Sequence, residues 1–347
     1  MSPPRRPPRI SSEIFEIDAE TFARDLTPLY QPTVLRGIAR DWPAVRAART
    51  SPHALADYLK GFHKGALVEA LLGAPAIGGR FFYDETGQGM NFDRRAAPLD
   101  KALDELLRLA DHPEPPAIYV GSTPIAPVLP GFERANALDL LDETIQPRLW
   151  LGNASTIQTH HDMSDNIAVV VSGKRRFTLF PPDQVGNLYV GPLDFTPAGR
   201  PISLAPLDPP DFERFPKFAE ALETAQVAEL EPGDAIYIPT LWWHHVQALG
   251  PLNMLVNYWW EPADMAANGI GGQPFDAFVH ALRNVRRLPA KRRNAWRAFF
   301  EHYIFHANGD PAEHIPEGRR GVLEDRPDAA REAEMTAFLR KVLGGGS

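Results

Sequence analysis

The sequence predicts a mainly β protein, an antiparallel barrel or jelly roll with flanking helices, and three observations carry that prediction. Between Ala117 and Trp260, short runs rich in β-branched and aromatic residues alternate with Gly/Pro turns. No amphipathic pattern of helical length separates those runs. Before and after them, by contrast, apolar residues recur at helical spacing.

Residues 1 to 12, MSPPRRPPRISS, offer nothing to bury and read as a disordered arm. From Ile14 a short extended piece leads into a helix, and Pro32 to Arg36 suits a strand ended by Gly37. Trp42-Pro43 reads as a packed loop, its tryptophan an anchor. Ser51 is placed as N-cap of a helix running to Leu59, with Pro52 at its first position. GRFFYDETGQGMNFDRR, aromatic and glycine-rich, suits a hairpin or loop over the core, and Leu99 to Ala110 an amphipathic helix. Beyond His112-Pro113 the strands begin: Ala117 to Val120, then one from Trp150. Asn166 to Ser172 and Arg175 to Phe180 flank Gly173-Lys174 as a hairpin. Two short strands surround Pro232-Gly233-Asp234, and His244 to Leu249 with Asn253 to Trp260 form a final pair. FDAFVHALRNVRRL, KRRNAWRAFFEHYIFH and AAREAEMTAFLRKVL are helical. The expected order is an arm (1–12), an α/β cap (13–115), a β-barrel core (116–262) and a C-terminal helical region (263–347).

The totals narrow the chemistry. Of 347 residues, 44% are hydrophobic and 23% charged, enough to bury a large core. No run of eighteen apolar residues occurs and the N-terminus has no apolar signal region, so the expectation is a cytoplasmic protein without a membrane partner. With zero cysteines, any metal must be held by histidine and carboxylate, which favours iron, manganese or zinc. A net charge of −8 with no basic block argues against nucleic acid and suits a basic or polar polypeptide better.

The chemistry centres on His160-His161-Asp162. On an extended chain, residues two apart share a face, so His160 and Asp162 can grip one ion while His161 points away. A second cluster, WWHHV at Trp242 to Val246, brings another histidine back across the barrel. Two histidines and a carboxylate make the facial triad of non-haem iron oxygenases. On the strand after Gly173-Lys174, Arg175 shares its face with Phe177 and Leu179, so one guanidinium aims at an apolar interior and must be paired. Its partner is either an internal carboxylate or a dicarboxylate ligand. Asn166 and Asn257 each interrupt an apolar strand, and each hydrogen-bonds either a ligand in the cavity or another buried polar group.

The set VLRGIARDWPAV, His160-x-Asp162 with Asn166 four residues on, SGKRRFTLFPP, PGDAIYIPTLWWHHV and VNYWW resembles the cupin-like JmjC group of Fe(II)/2-oxoglutarate-dependent oxygenases. The resemblance spans roughly Ile14 to Pro262 and, within the group, is similar to the asparaginyl hydroxylase that represses the hypoxia-inducible factor. It implies a double-stranded β-helix with Fe(II) held by His160, Asp162 and His244. It implies that Arg175, where relatives usually have lysine, pairs with the distal carboxylate of 2-oxoglutarate alongside Tyr119, and that Asn166 and Asn257 line the co-substrate site. Ile157 departs from the group, which commonly carries threonine there; Thr156 and Thr159 are the neighbouring hydroxyls. The implied reaction decarboxylates 2-oxoglutarate to succinate and carbon dioxide and hydroxylates a substrate carbon. The helical tail matches the group's dimerising bundle in position, implying a homodimer. Two rival readings remain at the level of sequence: a metal cupin enzyme acting on a small carboxylate without 2-oxoglutarate, and a non-catalytic metal-binding sensor.

Overall fold

A computed structural model describes residues 9–10, 12–261, 274–324 and 328–343. Its strands are β1 (Arg9–Ile10), β2 (Ser12–Ile14), β3 (Thr33–Leu35), β4 (Leu67–Gly73), β5 (Arg80–Phe81), β6 (Phe92–Pro98), β7 (Ala117–Pro124), β8 (Arg148–Gly152), β9 (Ser155–His160), β10 (Asp165–Ser172), β11 (Arg175–Phe180), β12 (Gln226–Leu230), β13 (Ala235–Ile238), β14 (Trp243–Ala248) and β15 (Asn253–Trp260). They form a six-stranded sheet, β1-β12-β11-β14-β9-β5, and a nine-stranded sheet, β2-β3-β13-β10-β15-β8-β7-β4-β6. This is the mainly β jelly roll that the strand pattern predicts.

The expected hairpin at Gly173-Lys174 is not one. β10 pairs with β13 and β15 in the larger sheet, whereas β11 pairs with β12 and β14 in the smaller. The same switch separates β12 from β13, and it separates β14 from β15, the two strands expected as a final pair. Strand alternation fixes which side chains share a face but not which strand lies alongside, so a two-residue link reads as a hairpin when it is a crossing. Gly173 makes the crossing at φ +75, where a Cβ would stand 2.1 Å from Asn253 Oδ1.

Alternation along these strands sorts the core into layers. In β10, Ile167, Val169 and Val171 join a cluster with Val45, Leu55 and Leu103 from the helices Pro43–Thr50, Pro52–Phe62 and Leu99–Arg108. Ala168 and Val170 face the other way and meet Phe177 and Leu179 of β11. β10 is therefore buried on both faces, which is why it reads as a nearly unbroken apolar run. Each fully buried aliphatic side chain contributes about 1.5–3 kcal/mol of burial.

Within this frame Ser51 caps its helix as expected, accepting from the Ala54 N–H at 3.0 Å. Trp42-Pro43 is not a loop: Pro43 opens a helix to Thr50, and the buried Trp42 indole donates to Ala137 O at 2.7 Å. The strands of residues 13–115 lie in the same two sheets as those of the core, and the chain divides into compact units only between Trp260 and Glu261. In the second unit the described helices are Pro274–Asn284, Ala290–Tyr303 and Ala329–Leu343; the expected end of the last at Gly344 lies outside the described residues. Among the described residues no helix is long and apolar enough to cross a membrane.

Candidate metal centre and ligand cavity

The inner faces of the two sheets enclose a cavity of about 790 Å³. β11 contributes Arg175 and Phe177, β14 contributes His244 and Val246, β15 contributes Leu255, Asn257 and Trp259, and β7 contributes Tyr119. All of them obey alternation.

His160, Asp162 and His244 meet here, each offering one ligand atom, and those atoms lie within 4.8 Å of one another. β9 ends at His160, so Asp162 sits in the loop beyond the strand rather than on it, fixed by the Leu241 N–H donating to Asp162 O at 2.9 Å. His160 Nδ1 donates to Gln158 O at 2.8 Å and His244 Nδ1 to Trp242 O at 3.0 Å. A carbonyl can only accept, so both rings carry the proton on Nδ1 and turn Nε2 toward Asp162, with His244 Nε2 3.6 Å from Asp162 Oδ2. Burial, reinforced by His244, pushes the His160 imidazole down to about 4, and burial lowers His244 likewise. Two neutral nitrogen donors and a carboxylate oxygen form a donor set that fits a divalent first-row metal.

Asp162 is held in turn. Trp259 Nε1 donates to its Oδ2 at 3.1 Å and Asn166 Nδ2 lies 3.5 Å from the same oxygen. Asn257 Nδ2 donates to Asn166 Oδ1 at 3.3 Å, and Asn257 Oδ1 accepts from Trp150 Nε1 at 2.6 Å. Of the two outcomes open for Asn166 and Asn257, polar pairing is present: both line the cavity and are tied to each other, and Asn166 reaches the carboxylate. Trp259 escaped the sequence reading, although its position two residues after Asn257 places it on the inward face.

Arg175 is 3% exposed and has neither ion pair nor hydrogen bond with any described residue. Its neighbour Arg176 points outward and pairs with Glu229. The internal carboxylate that the sequence left open for Arg175 is absent among the described residues. Tyr119 shares this end of the cavity; burial raises its phenol, an effect the Arg175 charge partly offsets.

Ile157 lines the cavity three residues before His160 because β9 is irregular there: three steps from Ile157 to His160 oppose two from Val246 to His244. The extra residue turns Thr159 to the other face, where its buried hydroxyl lies 3.4 Å from His245 Nδ1, so neither Thr159 nor Thr156 is among the lining residues. His161 and His245 stay outside the cluster, His161 edge-on to Trp243 with ring centres 4.7 Å apart.

Two strand-switching sheets around a cavity, in which two histidines and one aspartate could hold a metal ion, define a cupin. The sequence matches the cupin-like domain family over residues 19–266, and the chain belongs to that family, in its JmjC branch. It is 26% identical over 290 residues to the lysine-specific demethylase JMJ31 of Arabidopsis thaliana, covering 74% of this chain and 50% of that one. It is 27% identical over 274 residues to tRNA wybutosine-synthesizing protein 5 of Danio rerio, covering 71% and 73%. With the human bifunctional peptidase and (3S)-lysyl hydroxylase JMJD7 it shares 25% over 277 residues, covering 69% and 80%. The chain thus spans half the length of the Arabidopsis relative.

Proposed function

We propose that this protein is an Fe(II)- and 2-oxoglutarate-dependent oxygenase that hydroxylates a side chain of a protein or peptide in the cytoplasm, releasing succinate and carbon dioxide. The observation that carries the reading is Arg175. A buried guanidinium without a partner is costly, and a dicarboxylate entering the same cavity as the three metal-binding side chains supplies that partner in two-pronged geometry.

Each residue then has a task. His160, Asp162 and His244 would hold the metal. When bound, the iron supplies the activation of dioxygen. Arg175 would pair with the distal carboxylate of the co-substrate, with Tyr119 beside it in the same cavity. The Trp259 and Asn166 donors keep Asp162 from rotating, and Ile157, Phe177, Val246 and Leu255 keep water off the reacting groups.

Two of the three relatives bear names of lysine-directed enzymes, which supports a polypeptide substrate, and the net charge of −8 favours it over RNA. The likeness to the asparaginyl hydroxylase rests on the sequence motifs alone. Exposed apolar side chains on the C-terminal helices, Trp296, Phe299, Phe338 and Leu339 among them, support a homodimer through that region.

Anaerobic titration of the Fe(II)-loaded protein with 2-oxoglutarate tests the assignment. A visible charge-transfer band that is lost in Arg175→Ala is expected. Bound iron without a band would instead favour a small carboxylate substrate at Arg175.

A further inference from the structure

The rim of the cavity carries a charge that neither the metal centre nor the co-substrate accounts for. Glu69, Arg94 and Arg200 line it. Glu69 and Arg94 form an ion pair at 2.6 Å across β4 and β6, and Arg94 Nη2 also donates to Pro197 O at 2.7 Å. Arg200 has no ion pair or hydrogen bond with any described residue, though it stands close enough for its charge to bear on His160 and His161.

Arg200 is nevertheless placed. On one side of it, Phe195 O accepts from Tyr83 Oη at 2.6 Å and Pro197 O from Arg94. On the other, Ile202 bridges to His160, and the Ser203 N–H donates to Thr159 O at 2.8 Å. The residue is therefore strapped over the metal-binding histidine from both directions.

We propose that Arg200 reads a carboxylate on the prime substrate, an acidic residue flanking the side chain that is oxidised. The proposal rests on the oxygenase reading above. In the loaded site, the divalent ion, the 2-oxoglutarate dianion, Asp162 and Arg175 cancel, and Glu69 cancels Arg94. Among the described residues, Arg200 is the charge left over. The overall charge of −8 lies elsewhere on the molecule and draws a polar or basic polypeptide, while the rim selects an acidic residue within it. RNA binding needs several cations along a backbone track, and among the described residues the rim supplies one free guanidinium.

The test uses the full chain loaded with Mn(II) and 2-oxoglutarate, and three fluorescent pools of random pentapeptides fixed at one position as Asp/Glu, Asn/Gln or Lys, read by anisotropy. The wild type is expected to bind the acidic pool roughly three- to tenfold tighter than the amide pool. Arg200→Lys keeps that preference and Arg200→Glu turns it toward the Lys pool, with far-UV circular dichroism unchanged in both. Equal affinities in the wild type, binding of no pool, an unaltered preference in Arg200→Glu, or tighter binding of a mixed-sequence RNA than of any pool overturns the proposal. The charge-transfer titration separates the two readings. A missing band with an Arg200-dependent acid preference condemns the co-substrate and spares Arg200, whereas a normal band without the preference condemns Arg200 alone.

Discussion

His160 and His244 face each other across paired antiparallel strands, ring centres 4.2 Å apart, and each is oriented by the carbonyl two residues before it in its own chain. The two imidazoles are thus aimed by backbone that the sheet already holds. His160→Ala or Asp162→Ala is expected to lose the stoichiometric metal ion while keeping the native circular dichroism. Full iron content in either variant, measured by plasma emission, would remove the central assignment.

The network behind Asp162 predicts a graded effect. Trp259→Phe and Asn166→Ala keep all three ligands but free the carboxylate, so metal affinity should fall by about ten- to a hundredfold. Calorimetric titration with Mn(II) measures this, and unaltered affinity in both would mean that Asp162 is held by other contacts.

Arg175 should affect stability and binding with opposite signs. Arg175→Met removes an unpartnered buried cation, so the apoprotein gains about 1–3 kcal/mol in urea unfolding. The same change should weaken 2-oxoglutarate binding by about 2–5 kcal/mol, roughly thirty- to several-thousandfold. A destabilised apoprotein would point to a partner for Arg175 within the chain.

Burial holds four imidazoles below their ordinary value of 6.5: His160 at about 4, His245 at about 3, and His161 and His244 lowered. The unfolded chain therefore binds protons that the folded chain refuses. The stability these groups contribute is present above about pH 6.5 and is lost progressively as pH falls toward 4 and 3. Melting temperatures of the apoprotein taken from pH 8 down to 5 should stay level and then decline, and a rise over that range would contradict the placement of these rings.

If the C-terminal helices form the dimer, Phe338→Arg, at a side chain 66% exposed, should halve the mass seen by light scattering without changing iron content. A wild-type monomer would dispose of the proposed contact.

Much of the site was legible because alternation is local. It aimed Arg175 inward, Arg176 outward, and His160 away from His161, and the structure agrees on all four. Partnership between strands is not local, so the link at Gly173-Lys174 misled, and the strand Leu67–Gly73 left no signal that its neighbours β6 and β7 could supply in advance. The extra residue between Ile157 and His160 reverses parity, which periodicity cannot anticipate. Arg200, alone in a Gly/Pro-rich loop, belongs to no pattern at all.

The place of β15 in the larger sheet has a consequence for biosynthesis. It lies between β10 and β8, and it carries Trp259, which donates to Asp162, and Asn257, which donates to Asn166. A nascent chain that has emerged only as far as Ala248 already holds His160, Asp162 and His244, yet lacks β15 and with it the Trp259 donor to Asp162. The last strand is the keystone: the gap between β10 and β8 is filled, and Asp162 gains its Trp259 donor, only once translation has passed Trp260.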